Sequence, residues 1–419
     1  MLIGVTLIVS LLIGVPIFAA LGVAAMTDFL LSPIPLATLA HSLFSGVDKF
    51  PLIAIPCFVL AGSIMTRAGI TEDIVRVMRI AVGRAPGGLA VVTILSCMFF
   101  AAISGSGPGT VAAIGGLLIP AMAAQGYDRG FAAAVASAGG TLGILIPPSN
   151  PMIIYGVLAG VSIGDLFIAG LLPGLLIGLA LMATAVGISA LRGYRGQEEG
   201  FDARSLWRAI FTGIPSLLAP AVVLGGIYLG IFTPVEAAVV AVLYALLVGI
   251  LVKRSIGLRQ IWASLSETSA ICGGLILIMG TAIFFGQFMA LNQVPQSLAA
   301  ALLAITDNPV TMLLLISAML LVLGTFMETL STIIILTPIL LPLVKKLGID
   351  PIHFGIILVV TSEVGFLTPP LGVNLFVASG LSGVKLETLA RRVIPFLVVL
   401  VAALLVILLV PWLSLALIR

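Results

Sequence analysis

Charged side chains are scarce in this sequence: Asp, Glu, Lys and Arg make up 8% of 419 residues, where an ordinary soluble chain carries roughly a quarter. So few ionised groups cannot cover a water-facing surface, which excludes a soluble domain. The balance of 19 basic against 16 acidic residues, net +3, is too even for a nucleic-acid binder, and the basic residues fall in short loops. Histidine is nearly absent. His41 and His353 each stand alone, which argues against a His-based metal centre or catalytic dyad; no transition metal and no cofactor are expected. Cys57, Cys97 and Cys272 are scattered through apolar runs without metal or redox spacing and read as small core hydrophobes. No basic segment precedes the apolar run that continues to Met26, so the start reads as a retained first span rather than a cleaved signal.

Apolar residues are what the sequence has in excess, at 61%. At roughly 20 residues per crossing that suffices for about a dozen membrane segments. Cutting the apolar runs at charge, Pro and Gly gives 2–26, an amphipathic stretch 34–47, 50–66, a charged helix-like stretch 68–82, and 86–122 with a Gly/Pro break at its centre. Next come 130–164, broken at Pro147-Pro148, and 166–191. A polar linker from Arg192 to Arg208, with Glu198, Glu199 and Asp202, separates residues 1–191 from 210–419, with 192–209 between them. The second part reads 210–232, 234–252, an amphipathic 256–267, 268–291, 296–306, 309–346 broken near its centre, 352–384 broken at Pro369-Pro370, and 393–418. The amphipathic stretches either lie in the membrane interface or are solvated loop helices. In the interface they would form a collar around a fixed scaffold, with Gly83, Gly87 and Gly88 as one hinge region.

The two parts match each other at a constant offset of 222. Residues 104–156 laid on 326–378 without gaps give nine identities, among them Thr110/Thr332, Pro120/Pro342, Gly126/Gly348, Asp128/Asp350, Gly143/Gly365 and both prolines of each double proline. That register, more than the count, implies a duplicated architecture. The linker and the loop with Lys253, Arg254 and Arg259 flank two consecutive spans, so positive charge puts both in the cytoplasm, together with Arg67, Arg76, Arg79 and Arg84. The first hairpin then enters from the cytoplasm and the second from outside, so the repeats are inverted. Lys345 and Lys346 fall outside and violate the rule. The expected fold is an all-α integral membrane protein with about ten spans plus two re-entrant hairpins, in two inverted repeats.

Four breaks interrupt the apolar segments: Ser104 to Thr110, Gly143 to Pro151, Gly324 to Thr332, and Glu363 to Asn374. Lipid offers no partner to a freed backbone group, so broken helices persist only where protein or a water-lined cavity satisfies them. Half-helix ends carry partial charge; unwound carbonyls with Ser, Thr and Asn oxygens suit a small cation such as Na⁺, and half-helix N-termini attract an anion. Packing kinks are the bland alternative for any one break. Four breaks paired by a repeat favour one ion site per half.

Asp128 and Asp350, each just after a Gly at a junction, read as N-caps, and Glu236 after Thr233-Pro234 as a first-turn residue. Glu328 and Glu363 either help ligate Na⁺, carry a coupled proton, or accept bonds from orphan N–H groups. No Lys or Arg falls in a break, so an anionic substrate would be held by backbone N–H groups, hydroxyls, Asn150 or Asn374 and bound Na⁺. Neutralising Arg129 or Arg84 should then leave affinity nearly intact.

The stretches ISGSGPGTVAAIG, GILIPPSNPMIIYG, ETLSTIIILTPILLPLV and EVGFLTPPLGVNLFVASG, in this order and spacing, resemble the large membrane subunit of tripartite ATP-independent periplasmic (TRAP) transporters. The resemblance covers essentially the whole chain. It implies a Na⁺-driven secondary importer of small organic acids in the bacterial inner membrane, and no enzymatic activity. It implies two partners, a small four-helix membrane subunit on a separate polypeptide and a periplasmic substrate-binding protein, and an elevator motion of a hairpin-bearing domain against a scaffold. Position by position it points to Ser104, Ser106, Gly107 and Thr110 with Gly143, Pro147, Ser149 and Asn150 as a first ion and substrate site. In the second half it points to Thr325, Glu328, Thr329 and Ser331 with Glu363, Gly365, Thr368 and Asn374. A stand-alone Na⁺-coupled anion carrier of the same plan is the nearest alternative. An intramembrane protease is remote, because Asp128 and Asp165 fall at opposite faces and Ser104 lacks a His partner; a purely structural subunit would not need four paired breaks.

Overall fold

The computed structural model describes all residues except 1–4, 8, 11–12, 31–35, 84–85, 195–202, 370–371 and 419. Arg84, the linker acids Glu198, Glu199 and Asp202, and Pro370 lie outside the described residues, as does the beginning of the first span. Every regular element among the described residues is helical. Among the described residues nine helices are long and apolar enough to cross a membrane, and six shorter apolar helices accompany them.

The first half contains α1 (Ile17–Leu30), α2 (Leu36–Val47), α3 (Ala54–Arg67), α4 (Ile70–Val82), α5 (Gly88–Ser104), α6 (Gly107–Ala124), α7 (Arg129–Leu145), α8 (Asn150–Ala159) and α9 (Ile163–Leu191). The second contains α10 (Ala203–Tyr228), α11 (Pro234–Leu247), α12 (Leu258–Leu291), α13 (Val294–Leu303), α14 (Pro309–Gly324), α15 (Thr329–Lys346), α16 (Pro351–Phe366), α17 (Val373–Ser382) and α18 (Leu386–Leu409). The limits of α6 and α15 recur at the 222 offset to the residue, and α7 and α16 start at the same register. Local chemistry repeats with them. Asp128 accepts from Phe131 N at 3.0 Å and Asp350 from Ile352 N at 2.8 Å, each capping the helix that follows a Gly turn, as the sequence predicts. Thr233 and Glu236 form a reciprocal capping box at the start of α11.

Two elements depart from the sequence reading. The expected first span 2–26 turns at a left-handed Gly14 and resumes as α1 from Ile17. The stretches 256–267 and 268–291 are a single helix, α12, of 34 residues. Its counterpart is cut into α2 and α3 because Lys49 is extended and Pro51 and Pro56 follow, whereas the 222 offset puts Gly273 and Ile278 at those two positions. Glycine weakens a helix without removing its N–H, so the helix runs on where proline would break it.

Packing sorts the helices into two groups. α1 lies along α12 and α3 along α11, while α4 packs on α10, forming an outer frame. The inner group is built on α7 and α16, whose residues are almost all buried: α5 packs on α7, α14 on α16, α18 crosses α7 and α9 crosses α16. The half-helices after the breaks cross over. α8 packs on α15 of the other half, and α17 packs on α6 and α7 of the first.

Candidate functional site: two hairpin tips against two broken helices

In the first half α5 ends at Ser104 on a left-handed Gly105, and α6 starts at Gly107 under Ser106, whose hydroxyl accepts from Gly109 N at 3.3 Å. Beside it α7 stops where Ile146 turns extended before Pro147-Pro148, and Ser149 caps α8 by accepting from Met152 N at 3.3 Å. The two interruptions touch. A Cβ built on Gly143 would stand 2.5 Å from the Ser106 carbonyl oxygen and 2.6 Å from Thr110 Oγ1, so only glycine lets the tip seat there. Two helix C-termini, at Ser104 and Leu145, and two N-termini, at Gly107 and Asn150, therefore converge, offering carbonyls to a cation and N–H groups to an anion.

The second half makes a related contact, four residues earlier in its hairpin at the 222 offset. A Cβ on Gly365 would lie 2.5 Å from the Gly324 carbonyl oxygen, so the end of α14 closes on α16 as the first tip closes on α7. Thr332 Oγ1 donates to Glu328 O at 3.1 Å, as Thr110 Oγ1 donates to Ser106 O at 2.8 Å.

Polar side chains in the two places fare differently. Ser104 and Thr110 hydroxyls bond each other at 3.0 Å, and Ser149 Oγ donates to Ile144 O at 2.5 Å. Thr329 Oγ1, Ser331 Oγ and both carboxylate oxygens of Glu363 are buried with no partner among the described residues. So are Asn150 Oδ1 and Asn374 Oδ1. Buried polar atoms are nearly always paired, and a carboxylate 1% exposed with no donor is costly unless it is protonated or meets a cation. Thr325 and Thr368 are half-buried, and their hydroxyls donate to Val322 O and Val364 O, one turn back in their own helices. Each hydroxyl oxygen keeps its lone pairs for a cation or a donor.

Two placements were not legible in the sequence. Asn374, grouped there with the second half, stands against the first: its Nδ2 donates to Ser137 O at 3.4 Å, and a Cβ on Gly107 would lie 3.3 Å from its Oδ1. Asn150 in turn shares with Glu328 and Thr329 a cavity of about 620 Å³, a volume typical of small-molecule sites. The first tip lines that cavity from Ser104 to Gly109. Its opposite walls are one face of α3, with Gly62, Ser63, Thr66 and Arg67, and one face of α12, with Glu267, Ile271 and Gly274. Arg67 thus brings a guanidinium to the cavity although no break contains one; only the i, i+3, i+4 face of α3, not its place in the chain, could have signalled it.

Paired broken helices closing on hairpin tips, inside a bundle of apolar spans, are a transporter's architecture. The family model described as tripartite ATP-independent periplasmic transporter, DctM component, matches residues 4–413. The chain belongs to this family. An isethionate TRAP transporter permease protein DctMQ of Oleidesulfovibrio alaskensis is 45% identical over 402 residues, 96% of this chain and 63% of that protein, so the chain spans less than two thirds of that relative. A C4-dicarboxylate TRAP transporter large permease protein DctM of Pseudomonas aeruginosa is 40% identical, covering 94% of this chain and 92% of that one. The sialic acid TRAP transporter large permease protein SiaM of Vibrio cholerae is 40% identical over 86% of this chain and 84% of its own. Among solved structures, the Alcanivorax borkumensis YdaH transporter aligns with a TM-score of 0.70 at 17% identity, over 91% and 90% of the two chains, which shows a shared fold. These relatives are permeases, not enzymes, and with the apolar helices they place this TRAP large permease as a multi-pass protein of the bacterial inner membrane.

Proposed function

We propose that this TRAP large permease is the membrane-spanning carrier of a sodium-driven importer of small organic acids, with Na⁺ as the coupling ion and no other cofactor. It works with a small four-helix membrane subunit and a periplasmic binding protein that delivers the acid. The observation that carries this reading is the set of buried oxygens with no partner among the described residues, on Asn150, Thr329, Ser331, Glu363 and Asn374, all within the four breaks. Oxygen-only ligands of low total charge suit an alkali cation. A cation beside Glu363 would satisfy its carboxylate in the bilayer, and would let the N-termini of α6 and α8 hold an anion nearby.

The names of the relatives support the acid: isethionate, C4-dicarboxylates and sialic acid share a small anionic group on a polar body. In the same reading the two halves, residues 1–191 and 210–419 about a linker at 192–209, are inverted repeats. The inner helices then move as an elevator against the outer frame. Helix limits repeated at one offset, and the crossing of α8 and α17 into opposite halves, support a two-fold arrangement of this kind.

Uptake into proteoliposomes holding the large and small permeases tests it, with succinate and isethionate as probes. A sodium gradient should drive accumulation only when the binding protein is present. Accumulation without it identifies a stand-alone carrier, and uptake indifferent to sodium refutes the coupling.

A further inference from the structure

The wall of the cavity that faces the first tip carries one ion pair. Arg67 Nη2 donates to Glu267 Oε2 at 3.0 Å, and Ser63 Oγ donates to the same oxygen at 2.8 Å while standing 3.1 Å from Ser264 Oγ. The pair joins α3 to α12, both in the outer frame. It is not buried: the side chains are 38% and 50% exposed, toward the same space that Asn150 and Thr329 line. A guanidinium has five donors, and this one uses one of them on Glu267. The remaining charge on the cavity wall is Glu328, an acid. Arg67 is therefore the one cationic side chain among the described residues that line the cavity, and it is paired to a single carboxylate oxygen.

We propose that Arg67 binds the anionic group of the transported acid, a carboxylate or sulfonate, and that Glu267 is the internal anion this group displaces. The inference rests on the transport reading above and names the residue that reads the substrate's charge. A planar fork of N–H donors matches an oxyanion bidentately, better than the one-oxygen contact it now makes. Displaced, Glu267 keeps its bond from Ser63 and faces water, so the exchange strands no buried charge. The acid thereby gains a hold on the outer frame, while Asn150 and Thr329 on the inner helices face it across the cavity. Glu328 opposes any anion there that is not accompanied by a cation, which favours joint occupancy.

Equilibrium binding of radiolabelled succinate and isethionate to the full-length permease in nanodiscs with sodium tests the proposal, alongside uptake by the complete three-component system. Arg67→Gln should weaken binding on the order of tenfold or more, and Glu267→Gln should tighten it several-fold by removing the competitor. Arg67→Lys, which keeps the charge and loses the fork, should fall between Arg67→Gln and the unmodified protein and guards against misfolding of the neutral variant. A merely structural bridge predicts the reverse pattern: both neutral variants lose thermal stability alike and affinity moves in neither. Sodium-driven uptake by the unmodified system with unchanged affinity in Arg67→Gln overturns this proposal and leaves the transport reading standing. Absence of both uptake and binding in the unmodified system overturns the two together.

Discussion

The hydroxyls of the first break are paired and several of the second are not, although Asn150 Oδ1 in the first also lacks a partner among the described residues. Around Gly143 the hydroxyls of Ser104, Thr110 and Ser149 find partners within the protein, and both N-caps, Ser106 and Ser149, are serines that bond the first turn. Around Gly365 the N-caps are Glu328 and Gly372, neither of which makes a side-chain cap, and Thr329, Ser331 and Glu363 keep unused oxygens. One backbone plan thus serves two chemical ends. The first tip is held in shape by its own hydrogen bonds, and the second leaves more hydroxyl and carboxylate oxygens unpaired among the described residues. Lipid offers these oxygens no partner, so the second break is the one expected to depend on its ion.

The largest effect tests what the two halves share. Gly143→Val and Gly365→Val should each abolish a monodisperse peak in detergent chromatography, because the new side chain strikes the carbonyl oxygen of Ser106 or Gly324 that the glycine now accommodates. A folded, stable protein from either variant would show that the tips do not seat as described.

Next comes the contrast itself. Glu363→Gln should assemble normally and lose on the order of tenfold or more in sodium-stimulated uptake. Thr141→Val, at the matching position of the first half, should keep it, since Thr141 Oγ1 only bonds Ala138 O at 2.6 Å. A pair of variants then separates stability from function. Thr329→Val removes no hydrogen bond among the described residues, so the melting temperature should hold while sodium affinity drops; Thr110→Val breaks the bonds to Ser104 and Ser106 and should cost about 1–3 kcal/mol of stability. Equal behaviour of the two in melting and in sodium titration would erase the distinction between the halves. Smallest in stability are Thr325→Val and Thr368→Val, whose hydroxyls bond their own helices; both should stay within about 0.5 kcal/mol in melting.

Much of this was legible because a membrane enforces simple rules. Proline and glycine inside apolar runs mark interrupted helices, and their register at one offset marks the repeat, so the four breaks and the caps Asp128 and Asp350 could be placed residue by residue. Asn374 shows the limit of that reasoning. It lies in a motif of the second half, yet its amide donates to Ser137 O of the first, a pairing that residue type does not reveal. Arg67 shows another limit. It ends an apolar span and reads as an ordinary cytoplasmic flank until α12 and the first tip close around it.

By itself the sequence determined that the chain crosses a membrane as helices and where the backbone must leave the helix. Hydropathy and the missing N–H of proline are local quantities, set by residues a few positions apart. Only the tertiary structure decided that α8 and α17 cross into each other's halves, that Asn374 joins the first tip, and that Arg67 and Glu267 face Asn150 across one cavity. Those facts depend on which helix faces pack together over some 200 residues of chain, as from Ser63 to Glu267, and periodicity leaves that choice open.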